Sequence, residues 1–219
     1  MTKQISQPGY DPACRDCPRL ARSLEGVRKE HPDYHARPVP GFGPLRAQLL
    51  VVGLAPGMHG ANRTGRPFTG DYAGILLYRT LHEFGFASQG GSDDPHDGLK
   101  LIGCRVTNAV KCLPPQNKPR PDEVRSCNRY LAAEIAAARP RAVLALGVIA
   151  HRAVLQACGL RPSRHQFAHG AQHALSASSG MRLFDSYHCS RYNTQTKRLT
   201  TPMFEAVLRD IATFLRGAR

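Results

Sequence analysis

The sequence contains few acidic residues and no long apolar run. Sixteen Asp and Glu stand against 30 Lys and Arg, so the formal net charge is +14 over 219 residues. A positive excess of this size indicates a polyanionic partner, because a basic surface attracts phosphate-rich molecules. No stretch of about eighteen apolar residues is present, so we expect neither a membrane span nor a membrane partner.

The sequence also lacks a signal-peptide core and the common nucleotide-binding loops. The N-terminus, MTKQISQPGYDPACRDC, has no apolar segment, which predicts a cytosolic protein. In that reducing compartment the seven cysteines are expected to be metal ligands or small buried side chains rather than disulfides. Neither a Walker A motif nor a GxGxxG motif follows the first predicted strand.

What is present is an alternation of short apolar runs and amphipathic stretches. Continuous apolar runs predict strands buried on both faces of a sheet, and the stretches between them predict helices. The predicted strands are 48–54, 101–108, 142–147 and 182–188, the predicted helices 72–86, 121–139, 148–158 and 202–216, and the predicted surface loops 87–98 and 161–180. This order is typical of a single-domain α/β fold, a three-layer α/β/α sandwich whose mostly parallel sheet binds ligands at its carboxyl edge.

Four cysteines are candidates for one metal site. Cys14 and Cys17 form a CxxC pair, Cys112 follows the second predicted strand, and Cys127 falls on the apolar face of the next helix, where it could meet the pair. Four thiolates suit Zn²⁺ or an iron–sulfur cluster. A chance CxxC and four buried reduced cysteines fit this spacing equally well.

The first predicted strand runs directly into a glycine-rich loop. The segment from Gly53 to Gly57 reads GLAPG, and glycine after a buried strand indicates a sharp turn or a close approach of the backbone to a ligand. Phe68, further along the loop, is either a hydrophobic plug or a platform for a flat ring. Asp71 directly precedes a predicted helix, where an N-cap is the simpler interpretation.

The fourth predicted strand ends in a polar segment, YHCSRYNTQT. His188 lies there at the carboxyl end of a central strand, a position well suited to a functional site. The segment closes with Lys197 and Arg198, which suit the phosphates of a nucleic-acid backbone.

Three segments together resemble the iron–sulfur uracil-DNA glycosylases: GLAPGMHGANRTGRPFTGD, NAVKCLPPQNKP and HCSRYNTQTKRLT. The resemblance runs from Cys14 to the last predicted helix and is closer to the type-5 branch than to the type-4 branch. It implies a four-stranded parallel sheet between helices. It also implies a structural 4Fe–4S cluster on Cys14, Cys17, Cys112 and Cys127, which ties an N-terminal arm, about residues 1–30, to the core.

The resemblance implies a monofunctional enzyme, acting as a monomer on the nucleoid of a bacterial or archaeal cell. Such an enzyme rotates a deaminated base out of the duplex and hydrolyses its N-glycosidic bond, leaving an abasic site for base excision repair. Uracil is the expected substrate, with hypoxanthine and xanthine as further substrates. The residues implied to hold the base are Gly53, Ala55, Pro56, Gly57, Phe68 and Asn108, and those implied to hold DNA phosphates are Ser190, Arg191 and Asn193.

The implied catalytic residues are Asp71, Asn117 and His188. Asp71 would position the attacking water, with Asn117 as a second water ligand, because Leu54 stands where type-4 enzymes have a glutamate. His188 would donate a hydrogen bond to the base O2 as it becomes anionic. Cys189 replaces the proline that usually follows this histidine, and we expect it simply to pack.

One residue bears on the expected substrate range, and two other classes of protein remain as alternatives to the glycosylase. Type-4 enzymes have an asparagine at the position of Asn108 and read the uracil edge with it, whereas type-5 members often have alanine, so Asn108 could narrow the substrate range. A non-catalytic iron–sulfur nucleic-acid-binding protein explains the charge and the cysteines equally well, but it would not require Asp71, Asn117 and His188 together. A zinc-containing regulatory or RNA-processing module is the third possibility.

Overall fold

The computed structural model describes residues 10–175 and 180–217, which form seven helices and five strands. The helices are α1 (Pro18–Glu30), α2 (Ala61–Thr64), α3 (Tyr72–Glu83), α4 (Pro121–Ala138), α5 (Val148–Ala157), α6 (Arg191–Gln195) and α7 (Thr201–Arg216). The strands are β1 (Leu49–Gly53), β2 (Cys104–Asn108), β3 (Ala142–Leu146), β4 (Gln172–Ala174) and β5 (Arg182–Ser186). Two 3-10 turns, Pro115–Asn117 and Pro162–Arg164, lie in the connections.

The strands form one sheet in the order β2-β1-β3-β5-β4. The four predicted strands are present and mutually parallel, which confirms the α/β class, but a fifth strand, β4, pairs antiparallel with β5 at the edge. This strand lies inside the segment 161–180, which the sequence predicts to be a loop throughout; residues 176–179 of that segment are outside the described residues. With three residues, of which the first and last are exposed, β4 is too short to give a recognisable pattern.

Two hydrophobic cores separate the sheet from its helices. All five residues are buried in each of β1, β2 and β3, as expected for strands covered on both faces. Helices α3 and α7 pack on one face, and α4 and α5 on the other, so the three-layer arrangement agrees with the prediction. Cys104 and Cys189 are fully buried, whereas Cys158, at the end of α5, is only partly buried.

Two elements are three residues shorter than predicted, and in each case a glycine marks the boundary. Helix α3 ends at Glu83 rather than at residue 86, because Gly85 takes a left-handed φ of +78°. Strand β2 begins at Cys104 rather than at residue 101, after Gly103 with a φ of +58°. Within the described residues, no helix is long and apolar enough to cross a membrane.

The N-terminal arm packs against α4 and the loop after β2. Leu20 of α1 is buried beside Val110 and Cys127. Arg19 forms an ion pair with Glu123 in the first turn of α4, with 2.7 Å between Nη2 and Oε2. The arm is therefore held to the core by apolar and ionic contacts of α1.

Candidate active site

A cavity opens where the carboxyl ends of the strands meet. The chain leaves β1 for β2 on one side and later enters β3 on the other side of β1, which creates the crevice where α/β sheets bind ligands. The cavity has a volume of about 490 Å³, within the range of small-molecule sites. Its lining includes Leu54, Ala55, Gly57, Phe68, Asp71, Asn108, Asn117, Leu146, His188, Ser190 and Arg191.

Phe68 forms one wall of this cavity. Its side chain is 5% exposed and belongs to the core, so it is both a plug beneath the loop and a cavity surface. Its backbone takes a φ of +56°, a conformation that costs a bulky residue energy and is typical of functional sites. A Cβ on Gly53 would lie 2.5 Å from the Phe68 ring, so glycine is required beneath it. The ring also stacks on His188, with centroids 6.0 Å apart.

Asp71 stands at the N-cap position of α3, but its side chain does not cap that helix. Its Oδ2 accepts a hydrogen bond from the Ala61 N–H at 3.1 Å, across the glycine-rich loop. The carboxylate packs so closely on Gly57 and Gly60 that a Cβ on either residue would collide with it. Burial raises the pKa of Asp71 above its ordinary value, and the Ala61 N–H and the positive charge of Arg63 partly offset this effect.

Asn108 lines the cavity and carries a buried polar atom without a hydrogen-bond partner. The residue is 3% exposed, at the end of β2, and its Oδ1 is buried without a partner in the described structure. Buried polar atoms are nearly always paired, so this unpaired acceptor beside the cavity is free to accept a hydrogen bond from a ligand. The complementary ligand has an N–H or O–H group at this position.

His188 contributes a neutral imidazole. Burial lowers its pKa to about 4, so the ring carries one N–H and no charge near neutral pH. The carbonyl of His188 accepts a hydrogen bond of 2.8 Å from Asn193 Nδ2. Asn193 therefore uses its amide to hold the loop, whereas the sequence interpretation gave it a DNA phosphate.

The remaining predicted residues lie at the rim or below it. Asn117 is exposed at the cavity mouth and takes a left-handed φ of +56°, which asparagine tolerates. Ser190 caps α6 by accepting from the Asn193 N–H. Gly53 lies beneath the Phe68 ring, and Pro56 is not among the described residues that line the cavity.

Sequence reasoning missed the exposed apolar rim of the cavity. Tyr72 (45% exposed) and Val148 (39%) line the cavity, and Ile75 (59%) and Tyr192 (70%) lie close in the chain to the lining residues Tyr72 and Arg191. Tyr72 also carries the guanidinium of Arg191 over its ring at 5.7 Å. Exposure depends on which neighbours the fold brings near, so the sequence does not show it directly. The one available signal was Tyr192 itself, an aromatic residue within the polar segment after β5.

The four predicted cysteine ligands line a second, smaller cavity between α1, α4 and the loop after β2. Burial and the neighbouring thiols raise the pKa of Cys17 to about 11 and that of Cys112 further. The Lys111 N–H donates to the Cys127 sulfur at 3.3 Å. Four thiols facing one another cannot ionise together without a cation between them, so this donor set fits a thiolate-bound metal centre.

Comparison with known proteins identifies the family. Residues 40–212 match the Uracil DNA glycosylase superfamily. A type-5 uracil-DNA glycosylase of Thermus thermophilus is 52% identical over 202 residues, which cover 90% of this chain and 91% of that protein. A type-5 enzyme of Pyrobaculum aerophilum is 42% identical over 203 residues (91% and 88%), and a type-4 enzyme of the same organism 34% over 132 residues (60% and 60%). The resemblance to type-5 enzymes is thus confirmed, and the chain belongs to the uracil-DNA glycosylase superfamily.

Proposed function

We propose that this protein removes uracil from DNA by hydrolysing the N-glycosidic bond, as a step of base excision repair. The observation that carries the proposal is the unpaired Oδ1 of Asn108 in a cavity that also contains Phe68, Asp71 and His188. A base inside a duplex cannot reach such a cavity, so the nucleotide must rotate out of the stack.

Uracil matches the two recognition elements of the cavity. Its flat ring stacks on Phe68, and its N3–H donates to Asn108 Oδ1. Cytosine has an acceptor at N3, and this would face the Asn108 oxygen without a proton between them. A buried polar site rejects a ligand that leaves its groups unpaired, which gives selectivity for the deaminated base.

Asp71 and His188 serve the two ends of the bond that breaks. Asp71 accepts a proton from a water molecule that attacks C1′, and Asn117 is a second ligand of that water. The bonding electrons leave with the base, whose O2 becomes anionic and accepts a hydrogen bond from the neutral His188. The released base then takes a proton from solvent. Leu54 lines the same cavity and has no acid–base function.

The rim provides the contacts with DNA outside the cavity. Arg191 and Ser190 hold phosphates beside the extruded nucleotide, and Lys197 and Arg198 extend the basic surface. The exposed ring of Tyr192, next to Arg191 in the chain, would enter the base stack where the nucleotide has left it, as apolar wedges do in DNA-bending proteins. The protein acts as a monomer on nucleoid DNA.

Cys14, Cys17, Cys112 and Cys127 would hold a 4Fe–4S cluster. The four side chains line one small cavity between α1, α4 and the loop after β2. Four cysteine thiolates are the usual ligand set of such a cluster. When bound, the cluster supplies rigidity, because it joins the arm, α4 and the proline-rich loop that carries Asn117.

Base release from oligonucleotides tests the function. We expect uracil release from single- and double-stranded DNA, and also release of hypoxanthine and xanthine, since the cavity is larger than a pyrimidine requires. Tight binding to uracil-containing DNA without any base release would indicate a non-catalytic DNA-binding protein instead. Asn108→Ala should reduce uracil release more than hypoxanthine release, and equal losses would show that Asn108 does not select the base.

A further inference from the structure

A second group of chemically active side chains lies outside both sites described above. His151 of α5, His173 of β4 and Asp185 of β5 place their ligand atoms within 4.8 Å of one another. His151 Nδ1 is 2.9 Å from Asp185 Oδ1, and His173 Nε2 is 3.1 Å from Asp185 Oδ2. None of the three residues lines the candidate active site or the cysteine cavity. The group joins three elements at the β5–β4 edge of the sheet.

The hydrogen bonds of His151 determine what can lie between it and the aspartate. Its Nε2 is 2.8 Å from the carbonyl oxygen of His165. A carbonyl oxygen only accepts, so Nε2 carries a hydrogen. In a neutral ring the Nδ1 lone pair would then face a carboxylate oxygen at 2.9 Å, which is repulsive. A proton, carried by Nδ1 or by the carboxyl group, or a metal ion must therefore lie between His151 and Asp185.

The residues around Asp185 do not neutralise its negative charge, so the proton or metal ion beside it must do so. The carboxylate is 0% exposed, and a buried carboxylate is costly unless it is paired. Its ion-pair partners within the described residues are the two histidines, and no lysine or arginine pairs with it there. The site thus combines a buried negative charge with two imidazole rings and no fixed cation.

We propose that His151 Nδ1, His173 Nε2 and the Asp185 carboxylate bind one divalent transition-metal ion, of which Zn²⁺ is the best match. Two imidazoles and a carboxylate are among the commonest zinc ligand sets, and these ligand types suit zinc better than Mg²⁺ or Ca²⁺. The bond from His151 Nε2–H to a backbone carbonyl is the outer contact that orients metal-bound histidines. On binding, a proton on Nδ1 leaves to solvent.

The ion would join α5 to the β4–β5 edge and fix the segment that leads to the active site. Asp185 lies three residues before His188 on the same strand and its extension. His165 and Phe167 pack on the two histidine rings, so the segment 161–175 covers the metal position from outside. A partly exposed His173, at 14% side-chain exposure, leaves a path for entry.

The test uses the cluster-loaded, full-length protein, so that zinc does not occupy the cysteines. After dialysis against a chelator, with iron content and colour checked as unchanged, the protein is titrated with zinc chloride by calorimetry. We expect one saturable site per chain and a rise in Tm with zinc, because ligands that bind only the folded state stabilise it. Cobalt chloride should give the visible bands of nitrogen and oxygen coordination without thiolate charge-transfer bands.

Variants assign the site to these residues. His173→Gln should reduce zinc affinity at least about tenfold, and Asp185→Asn should abolish binding. His169→Gln is the matched control, because His169 lies in the same segment but outside the ligand group, and it should bind zinc like the parent protein. Absence of a saturable zinc site, or unchanged affinity in His173→Gln, would overturn the proposal and leave an imidazolium–aspartate ion pair. Should Asp185→Asn fail to fold, His173→Gln alone decides.

Discussion

At the scale of single residues, burial rather than position in a helix or strand determines the protonation behaviour of Asp71 and His188. The Asp71 carboxylate is oriented by the Ala61 N–H, so it is held toward the cavity while α3 begins without its help. His188 follows β5 and is enclosed against Phe68. Burial shifts the two pKa values toward the neutral forms, and the proposed reaction needs a charged Asp71 and a neutral His188.

Replacing Asp71 with asparagine separates catalysis from structure. In Asp71→Asn the new amide oxygen would still accept from the Ala61 N–H, so we expect an unchanged Tm and an unchanged affinity for uracil-containing DNA. Single-turnover uracil release should fall by a factor of about 10²–10⁴, the usual loss of a general base. Asp93→Asn, on the exposed neighbouring loop, is the matched control. A wild-type rate in Asp71→Asn would assign the water to Asn117 or to other groups.

The pH dependence of the rate follows from the same two residues. Because burial raises the pKa of Asp71, its carboxylate should take up a proton, and the rate should fall, at a higher pH than for an exposed aspartate. On the same acid side, His188 becomes charged near its pKa of about 4, which removes its neutral form. Single-turnover rates in buffers on both sides of these pKa values measure the profile. A rate independent of pH on the acid side would contradict both assignments.

At the scale of elements, the loop from β1 to α3 positions the site by close packing. Its glycines bring the backbone against the Asp71 carboxylate and the Phe68 ring, where no side chain would fit. The segment after β5 works differently, because Ser190 and Asn193 fix it through hydrogen bonds. The conformation of the β1–α3 loop thus depends on glycines without side chains, and that of the segment after β5 depends on hydrogen bonds from polar side chains.

Gly60→Ala tests the close packing of the glycine-rich loop. A Cβ at this position would lie 1.9 Å from Asp71 Cγ, so the carboxylate must move. We expect single-turnover uracil release to fall by up to about 10²-fold, as for other small displacements of a catalytic group, with DNA affinity unchanged. Gly26→Ala in α1 is the control: nothing lies within 4 Å of the added Cβ, so the rate should stay constant and stability should rise by up to about 1 kcal/mol. Equal rates in both variants would show that the carboxylate position is unimportant.

The proposed cluster belongs to the element scale because it would join three elements. Protein purified under low oxygen should be brown and contain about four irons per chain. Cys127→Ser should lower both the iron content and the solubility, whereas Cys158→Ser, partly buried outside the cysteine cavity, should alter neither. A colourless, fully folded preparation without iron would contradict the cluster assignment.

At the scale of the whole molecule, the net charge of +14 sets the strength of DNA binding. The dissociation constant for undamaged DNA should rise steeply with salt, because binding releases counterions condensed on DNA. Arg191→Ala should weaken binding to damaged and undamaged DNA alike and reduce the salt slope by about one. Arg216 lies at the end of α7, near the amino end of β3 and away from the cavity. Arg216→Ala should therefore leave the salt slope unchanged. An affinity independent of salt would refute the electrostatic argument.

Much of the fold was predictable because local patterns carry it. Four apolar runs predicted four parallel strands correctly, since burial on both faces leaves a continuous hydrophobic signature. Strand β4 was not predictable, because three mostly exposed residues acquire their structure only by pairing with β5. The motif residues were visible in the sequence for a different reason. Glycine, histidine and asparagine at strand ends add little to hydrophobic packing, so their presence there indicates another role.

The sequence by itself determined the α/β class, the family and the set of polar residues at the strand ends, because periodicity and motif spacing are properties of the chain. Only the tertiary structure decided where each side chain lies and what it contacts. It turned Asp71 from a helix cap into a cavity residue, left Asn108 Oδ1 without a partner, exposed Tyr192, and assembled His151, His173 and Asp185 from elements that are far apart in the chain. Exposure, pairing and pKa depend on distances between atoms that are remote in sequence, and packing alone sets those distances.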